Sequence, residues 1–162
     1  MINGKKVVVV MPAYNAERTI EKTWSEVLEQ NVAGLIIVVD HASQDETLAL
    51  ARRLKNLIAE AHSRNMGYGA NQKTCYRLAL DHGADIVVMV HPDYQYTPKL
   101  LPAMVGLVAS GLYSCVLGSR ILGGRAPSRG MPLWRYGANR ALTLAGNLLL
   151  GTKVSEFHTG YR

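Results

Sequence analysis

The sequence predicts an α/β protein with a mainly parallel sheet and helices on both of its faces. Short apolar runs alternate with segments of helical periodicity along the 162 residues, and the joints between them are short. Strands that alternate with helices of this length are typical of βαβ units. The run at 86–90 is continuously apolar rather than alternating, as expected for a parallel strand buried on both faces.

The first half of the chain contains two predicted strands and two predicted helices. Ile20, Trp24 and Val27 recur on one face of the first helix. Ser43 can cap the second helix, and Asp45 lies in its first turn, where a negative charge is favourable. The predicted elements are a strand at 6–11, a helix at 16–30, a strand at 35–39 and a helix at about 45–59.

The second half continues the alternation. Residues 100–119 carry no charge and are as long as a membrane-spanning helix, but Pro102, Gly106 and the Ser110-Gly111 turn signal interrupt them. We therefore expect a helix and then a strand in this region. The predicted elements are a helix at 70–82, a strand at 86–90, a helix at 98–110, a strand at 113–117, a Gly/Arg/Pro-rich loop at 119–132, a helix at 133–150, and a strand and turn at 154–162.

Composition indicates one globular domain in a reducing compartment. A hydrophobic content of 48% with 19% charged residues excludes a disordered chain. The two cysteines form no C-x-x-C pair, and the first residues lack the features of a signal peptide. We expect a cytoplasmic protein. Because nothing closes the fold after 154–162, we also expect a domain truncated at its C-terminus.

The whole net charge of +6 lies in the last quarter of the chain. Residues 118–162 contain seven Lys or Arg residues and one acidic residue, Glu156, which is an excess of six. Arginine suits bidentate phosphate contacts, so a phosphate-rich ligand or an anionic membrane surface fits this asymmetry. No nucleic-acid-binding module is recognisable, and we expect no nucleic-acid partner. A solvated basic face is the alternative.

The most informative segment is His91-Pro92-Asp93-Tyr94-Gln95, which follows the predicted strand at 86–90. Ligands of open α/β sheets bind at the carboxyl ends of strands. Asp93 and Gln95 are two positions apart in a segment that Pro92 holds extended, so both can direct an oxygen at one point. Such a pair suits a hard cation that carries a diphosphate. The alternative is an Asx-type turn that caps the next helix.

Other polar segments also follow predicted strands. Pro12 and Tyr14 offer flat faces on which a nucleotide base can stack. Glu17 can accept a hydrogen bond from a base or ribose, and Asp40, at a strand end, can accept one from a ribose or a base edge. In each case a strand–helix turn or a cap is the structural alternative. Gly67 and Gly69 allow close approach of a ligand but lack the third glycine of a dinucleotide fingerprint. Arg120 lies on a Gly-rich loop that could close as a lid over a diphosphate. The alternative is that this loop is simply exposed.

Taken together, these segments resemble the family 2 glycosyltransferases, and most closely their branch of dolichyl- or polyprenyl-phosphate sugar synthases. The resemblance spans residues 6–162. The segments that carry it are Pro12-Ala13-Tyr14-Asn15-Ala16-Glu17, Val38 to Thr47, Asn65-x-Gly67-x-Gly69-Ala70, Pro92-Asp93-x-Gln95 and Gly118-Ser119-Arg120.

The resemblance implies a GT-A fold, an inverting transfer from a nucleotide-diphosphate sugar, a divalent cation (Mg²⁺ or Mn²⁺) and a polyprenyl or dolichyl phosphate acceptor at a membrane face. It also implies a nucleotide-binding half at 1–96 and the start of an acceptor half at 97–162. Catalysis is expected to involve Asp93, Arg120 and Glu156. The implied nucleotide-contacting residues are Pro12, Tyr14, Glu17, Asp40, Arg120 and Arg135, and the implied metal ligands are Asp93 and Gln95.

The chain departs from the family pattern at three positions. His41 follows Asp40 where the family often has a second aspartate, and His91 replaces the first aspartate of the usual metal motif. Glu156 matches an aspartate that precedes the family's final Gly-aromatic-Arg. His91 can shift the site toward Mn²⁺ if its imidazole binds, or it can be a supporting or turn residue. The alternative function is a nucleotide-sugar-binding module without catalysis.

The last predicted helix carries leucines beside the Arg-rich loop. Leu142, Leu144, Leu148, Leu149 and Leu150 can face a bilayer interface, where a lipid phosphate would be available. Packing in a hydrophobic core is the commoner alternative for such residues.

Overall fold

Four parallel strands form one sheet in this computed structural model, which describes residues 1–119, 121–122, 131–157 and 159–162. The strands are β1 (Val7–Ala13), β2 (Leu35–Asp40), β3 (Leu57–Ala61) and β4 (Ile86–Met89). Their order across the sheet is β3-β2-β1-β4, and every neighbouring pair runs parallel. The strand predictions at 6–11, 35–39 and 86–90 are confirmed within one or two residues.

The described helices are α1 (Ile20–Glu29), α2 (Thr47–Arg53), α3 (Tyr68–Asp81), α4 (Leu101–Ala109) and α5 (Leu133–Leu150), and a 3₁₀ turn at Pro98–Leu100 precedes α4. The chain proceeds from β1 through β2 to β3 and then crosses back past β1 to β4. Because βαβ crossovers are right-handed, this reversal places α1 and α2 on one face of the sheet and α3 on the other. The predicted parallel sheet with helices on both faces is confirmed.

The core lies on both faces of β1, every residue of which is buried. On one face, Val8 and Val10 pack with Val39 of β2 and with Cys75 of α3. The alternate side chains of β1, such as Val9, point to the opposite face and are equally buried. Each of these valines contributes about 2 kcal/mol of burial energy. A strand covered on both sides leaves no position for a polar residue, which explains the unbroken apolar run.

The helix predicted at about 45–59 is wrong beyond Arg53. Leu54 is extended, Asn56 has a φ of +55°, and the chain then enters β3. β3 pairs in register with β2, from Ile36 opposite Leu57 to Asp40 opposite Ala61. The sequence of β3, with two alanines and a glutamate, favours a helix. Pairing with the open edge of β2 overrides that local preference.

The predicted strands at 113–117 and in 154–162 are also wrong. Neither segment forms a strand within the part of the chain that the structure describes. The outer edge of β4 is instead bonded at one point, where Met89 and Arg162 exchange backbone hydrogen bonds. A second backbone bond joins Gly118 N–H to Tyr161 O at 2.8 Å. Single bridges of this kind depend on contacts far apart in the chain, so apolar patterning does not predict them.

The chain forms two compact units, Met1–Val116 with Arg162, and Leu117–Tyr161. In the second unit, α5 carries a polar stripe at four-residue spacing, Asn139, Thr143 and Asn147. Asn147 bonds both backbone groups of Val154, and Thr143 Oγ1 accepts from Phe157 N–H at 3.4 Å. The stripe therefore fixes the segment that follows α5. Gly151 ends the helix in the left-handed conformation at φ +62°, as its position predicts.

The leucines of α5 are exposed rather than packed in a core. Leu142, Leu144, Leu148, Leu149 and Leu150 expose between 56% and 85% of their surface. The one buried residue of this helix is thus the polar Thr143, and the exposed side carries these leucines together with Arg135 and Arg140, unlike an ordinary surface helix. Across the described residues, no helix combines the length and hydropathy needed to cross a membrane.

Candidate active site

A pocket of about 300 Å³ opens at the carboxyl edge of the sheet. Parallel strands all end at the same edge, so the segments after β1, β2 and β4 meet there. The residues that line it are Pro12, Ala13, Tyr14, Ala16, His41, Asn65, Tyr68, Asn71, His91, Pro92 and Asp93. Three of the residues singled out from sequence, Pro12, Tyr14 and Asp93, are therefore brought together. All of the lining residues belong to the first unit.

Asp93 lies exposed at the mouth of a tight turn. Its Oδ1 accepts a hydrogen bond from Gln95 N–H at 3.0 Å, and Tyr94 between them has a φ of +62°. The Asx-type turn is thus present, but it does not cap the next helix, because Thr97 accepts from Lys99 N–H in that role. The turn holds the Asp93 carboxylate in a defined orientation toward the pocket edge.

Of the two predicted metal ligands, Asp93 lines the pocket and Gln95 does not. A single carboxylate is compatible with a cation that arrives with a diphosphate. Asp93 supplies a hard carboxylate oxygen, the ligand type that Mg²⁺ and Mn²⁺ accept. Among the residues that the structure describes, no group of three or more His, Cys, Asp or Glu side chains could form a complete protein cage. Magnesium commonly binds through one or two carboxylates, with substrate phosphates completing its shell.

His91 is engaged by a neighbouring aromatic residue. Its Nε2 lies 2.8 Å from the hydroxyl of Tyr68, which also accepts from Gln72 Nε2 at 2.6 Å. Burial lowers the pKa of His91; the positive charge of Arg162 adds to this effect, and the nearby Asp93 opposes it. A cation could reach Nε2 only by displacing the Tyr68 contact. The Nε2 atom is therefore engaged within the protein, as a supporting role of His91 requires.

Asp40, at the end of β2, is buried and bonded to its own loop. Its Oδ2 accepts from Ser43 N–H at 3.0 Å, and its Oδ1 accepts from the Ser43 hydroxyl. The side chain therefore stabilises the turn after β2. Asp40 is not among the residues that line the pocket, although its neighbour His41 is.

The loops after β1 and β2 are joined by reciprocal hydrogen bonds, here termed the loop clasp. Asn15 Oδ1 accepts from Gln44 N–H at 2.9 Å, while Asn15 N–H donates to Ser43 Oγ at 2.9 Å. Glu17 makes the same exchange, accepting from Glu46 N–H and donating its own N–H to Asp45. These donors and acceptors delay the start of α1 from the predicted residue 16 to Ile20, because the chain before it is held in turns.

Thr47 closes the loop clasp from a fully buried position. Its Oγ1 accepts from Ala16 N–H at 2.7 Å. We expect Thr47→Val to reduce the free energy of unfolding by about 2 kcal/mol, because a buried backbone N–H loses its partner. Chemical denaturation measures this loss. Thr23→Val is the matched control, since the hydroxyl of the equally buried Thr23 bonds Thr19 O, one turn earlier at the start of α1, and does not join the two loops. Equal losses for both variants would contradict the clasp.

The remaining predicted residues lie elsewhere. Arg120 is outside the described residues, as are residues 123–130 of the Arg-rich loop. Arg135 is exposed on α5, with its guanidinium carbon 5.2 Å from the centre of the Trp134 ring. Glu156 is buried in the second unit; its Oε1 accepts from Asn139 Nδ2 at 2.9 Å and its Oε2 from the Ser119 hydroxyl at 3.2 Å.

Four residues near the pocket were not among the predicted site residues. Tyr68 and Gln72 hold His91, and the positive charge of Arg162 acts on both His91 and Tyr68. His62 bonds His41 at the end of β3. The sequence does contain a pattern that could have identified His62: a histidine follows β3 at the position that matches His41 after β2. Assigning residues 57–59 to a helix concealed that register.

Two related proteins align with nearly the whole of this chain. A UDP-N-acetylglucosamine–dolichyl-phosphate N-acetylglucosaminyltransferase of Methanococcus voltae is 28% identical over 98% of this chain and 68% of its own length. An uncharacterized protein of Methanocaldococcus jannaschii is 29% identical over 99% of this chain and 65% of its own. The chain thus spans about two thirds of these relatives.

A solved structure supports the fold independently. Glucosyl-3-phosphoglycerate synthase of Mycobacterium tuberculosis, in complex with Mn²⁺, UDP and glucosyl-3-phosphoglycerate, superposes with a TM-score of 0.55 at 25% identity. The match covers 67% of this chain and 41% of that enzyme. The predicted GT-A fold is confirmed, and the resemblance to dolichyl-phosphate sugar transferases is confirmed by the relatives. With the sequence model of the family matching residues 8–162, the chain belongs to glycosyl transferase family 2.

Proposed function

We propose that the protein transfers a sugar from a nucleotide-diphosphate donor to the phosphate of a polyprenyl or dolichyl lipid, with inversion at the anomeric carbon. The observation that carries the proposal is the pocket at the carboxyl edge of the sheet, where Tyr14 and Asp93 line one cavity in a chain of this family. The M. voltae relative is named for a UDP-sugar donor and a dolichyl-phosphate acceptor.

In the donor site, Pro12 and Tyr14 contact the base and Asp93 faces the diphosphate. Tyr14 exposes 51% of its surface at the pocket, so its ring is accessible for stacking. Glu17 and Asp40 act through the loop clasp and the turn after β2, whose hydrogen bonds shape the wall beside the base. Residues 1–96 form the nucleotide-binding half in this assignment, and residues 97–162 begin the acceptor half.

The transfer is a single displacement. An acceptor phosphate oxygen forms a bond to the anomeric carbon while the bond from that carbon to the nucleoside diphosphate breaks, and the leaving group takes the electron pair. Arg120 and Arg135 are assigned to stabilise its negative charge. A divalent cation, Mg²⁺ or Mn²⁺, held by Asp93 and Gln95 would supply further positive charge there. The Mn²⁺ and UDP in the M. tuberculosis enzyme support this assignment.

A phosphate acceptor is already anionic, so positioning rather than a strong base carries this step. Glu156 is the candidate base only for a hydroxyl acceptor. The exposed leucines of α5, flanked by Arg135, Arg140 and Lys153, suit an anionic lipid surface that presents the acceptor. We therefore place the reaction at a membrane face.

The decisive experiment measures nucleotide binding by thermal unfolding. The purified chain is heated with UDP, GDP, ADP or CDP, each with Mg²⁺, Mn²⁺ or EDTA. We expect one diphosphate to stabilise the protein by about 2.7 kcal/mol at 100 times its Kd, and only with a divalent cation. Transfer is then assayed with the matching radiolabelled nucleotide sugar and vesicles that contain undecaprenyl phosphate, which are also floated to detect bound protein.

Three outcomes of this experiment are informative. A metal-dependent increase in thermal stability, followed by formation of labelled lipid, would support the nucleotide donor, the cation and the lipid phosphate acceptor. A shift without transfer to any acceptor would leave a binding module and contradict the enzymatic part. No shift with any nucleotide and either metal would contradict the donor site itself.

A further inference from the structure

Two histidines follow neighbouring strands in matching register. Asp40 of β2 pairs with Ala61 of β3, and the ladder continues by one residue as His62 N–H donates to Asp40 O at 2.9 Å. His41 and His62 are thus the next pair, with their side chains on the same face. Their rings meet edge to face at 5.0 Å between centroids, and the two Nδ1 atoms are 2.8 Å apart.

The backbone of Met66 determines where the protons of this pair lie. Met66 N–H donates to His41 Nε2 at 3.0 Å, so that nitrogen carries a lone pair. The proton of neutral His41 is therefore on Nδ1, which donates to His62 Nδ1. His62 in turn carries its proton on Nε2, 2.9 Å from Thr74 Oγ1 on α3. The result is one directed chain from Met66 through His41 and His62 to Thr74.

We propose that His41 and His62 are positioning residues that anchor the 65–67 loop against the pocket, through a directed chain of hydrogen bonds that requires both imidazoles to be neutral. His41 and Asn65 both line that pocket, and Met66 lies between Asn65 and Gly67. The role deepens the proposed function and rests on it, because the pocket is taken as the donor site. His41 stands where the family often has a second aspartate, which could accept from Met66 but could not donate to His62.

A single added proton cannot be accommodated in this chain. If His62 gains a proton on Nδ1, that N–H faces the N–H of His41 across 2.8 Å. If the His41 proton moves to Nε2, that clash is relieved, but the new Nε2–H then faces the N–H of Met66, whose nitrogen is 3.0 Å away. Either arrangement breaks one bond of the chain. Protonation therefore costs the 65–67 loop either its direct bond to His41 or the His62 contact that orients His41, and the anchor is weakened in both cases.

The surroundings of His62 favour its neutral form. Burial lowers its pKa; His41 from β2 and Arg77 from α3 add to the decrease, while Asp40 from β2 opposes it. A histidine with a lowered pKa in the folded state loses stabilisation as the pH falls below its ordinary value of about 6.5. The anchor is accordingly complete above that value and lost as the pH falls through the lowered pKa.

The first test requires no ligand. Long-range ¹H–¹⁵N NMR at pH 7.5 is expected to show His41 protonated on Nδ1 and His62 on Nε2. In His62→Ala, His41 loses its acceptor, and we expect the Met66 amide to exchange with solvent about tenfold faster. His82→Gln, at the far end of α3, is the control. Charged imidazoles at pH 7.5, or unchanged Met66 exchange in His62→Ala, would overturn the anchor.

The second test connects the anchor to nucleotide binding. His62→Ala is expected to weaken the binding of UDP with Mn²⁺ about tenfold at pH 7.5. The ratio of affinities at pH 7.5 and 5.5 is then compared between wild type and His41→Gln/His62→Gln. The terminal phosphate titrates near pH 6 and affects both proteins alike. We expect the larger ratio in wild type, and equal ratios would overturn the coupling to the pocket.

The two proposals fail in distinguishable ways. If wild-type protein binds no nucleotide diphosphate under any condition, the proposed function is contradicted. In that case the tautomers of His41 and His62 and the exchange rate of the Met66 amide still test whether the two histidines anchor the 65–67 loop. If wild type binds UDP but His62→Ala binds it equally well, the proposed function stands and the positioning role falls.

Discussion

Replacing Asp93 with asparagine is expected to reduce metal-dependent transfer by about 100-fold or more. Asparagine has the same shape, and its Oδ1 can still accept from Gln95 N–H, so the turn at 93–95 is retained. The variant therefore removes a charge without removing the local structure. The measurements are transfer rate against Mn²⁺ concentration and the metal-dependent part of nucleotide binding.

The control for this prediction is Asp81→Asn, which removes an equal charge from an exposed position at the end of α3. It is expected to retain the wild-type response to Mn²⁺. Wild-type metal dependence in Asp93→Asn would show that the cation is held by other groups. A parallel loss in both variants would indicate a general electrostatic effect instead of a site at Asp93.

Glu156→Ala is expected to destabilise the second unit by about 3 kcal/mol. The carboxylate is 1% exposed, and both of its oxygens accept hydrogen bonds, from Asn139 and Ser119. Truncation leaves two partly buried donors without this acceptor and opens a cavity at a buried position. Urea unfolding in a Trp24→Phe background measures the effect, because Trp134 of α5 is then the one tryptophan in the chain.

Glu156→Gln separates structure from chemistry at the same position. Its amide oxygen can accept from the Ser119 hydroxyl, whose Oγ already accepts from Ile121 and Leu122 N–H, while its NH₂ donates to Asn139 Oδ1 after a flip of the Asn139 amide. We therefore expect stability within about 1 kcal/mol of wild type. If the acceptor is a lipid phosphate, this variant should also retain transfer. Loss of transfer in a stable Glu156→Gln protein would instead support a hydroxyl acceptor with Glu156 as its base. Equal stability of Glu156→Ala and wild type would contradict the structural role.

The α5 helix shows why its environment could not be predicted from its own residues. Periodicity locates the helix at 133–150 and its end at Gly151, and both are confirmed. The leucines of this helix, however, could pack in a hydrophobic core or face a lipid surface, and periodicity does not distinguish the two. The structure buries Thr143 and bonds the Asn139–Thr143–Asn147 stripe to the following segment, which leaves the leucines outward. Hydrogen-bond partners 7 to 17 residues away decide that orientation.

The pocket shows the same division between local and distant information. The segment that follows an apolar run is a local signal, and three residues from such segments, Pro12, Tyr14 and Asp93, line one pocket. Asp40 and Glu17 carry the same signal; the Asp40 carboxylate bonds the backbone of its own loop, and the Glu17 carboxylate bonds that of the neighbouring loop. The chemistry of a carboxylate is identical in both cases. The N–H donors that lie nearest to each carboxylate depend on the folded chain, and this local signal carries no information about them.

The sequence by itself determined the α/β class, the parallel sheet, the family and the edge at which the pocket lies, because these follow from short-range periodicity and from motifs in a fixed order. Only the tertiary structure revealed β3 and, with it, the pairing of His41 with His62. Both depend on the free edge of β2, which overrides the helical preference of 57–61. This edge pairing joins residues 21 positions apart, such as Ile36 and Leu57, and local propensity carries no information about such a partner.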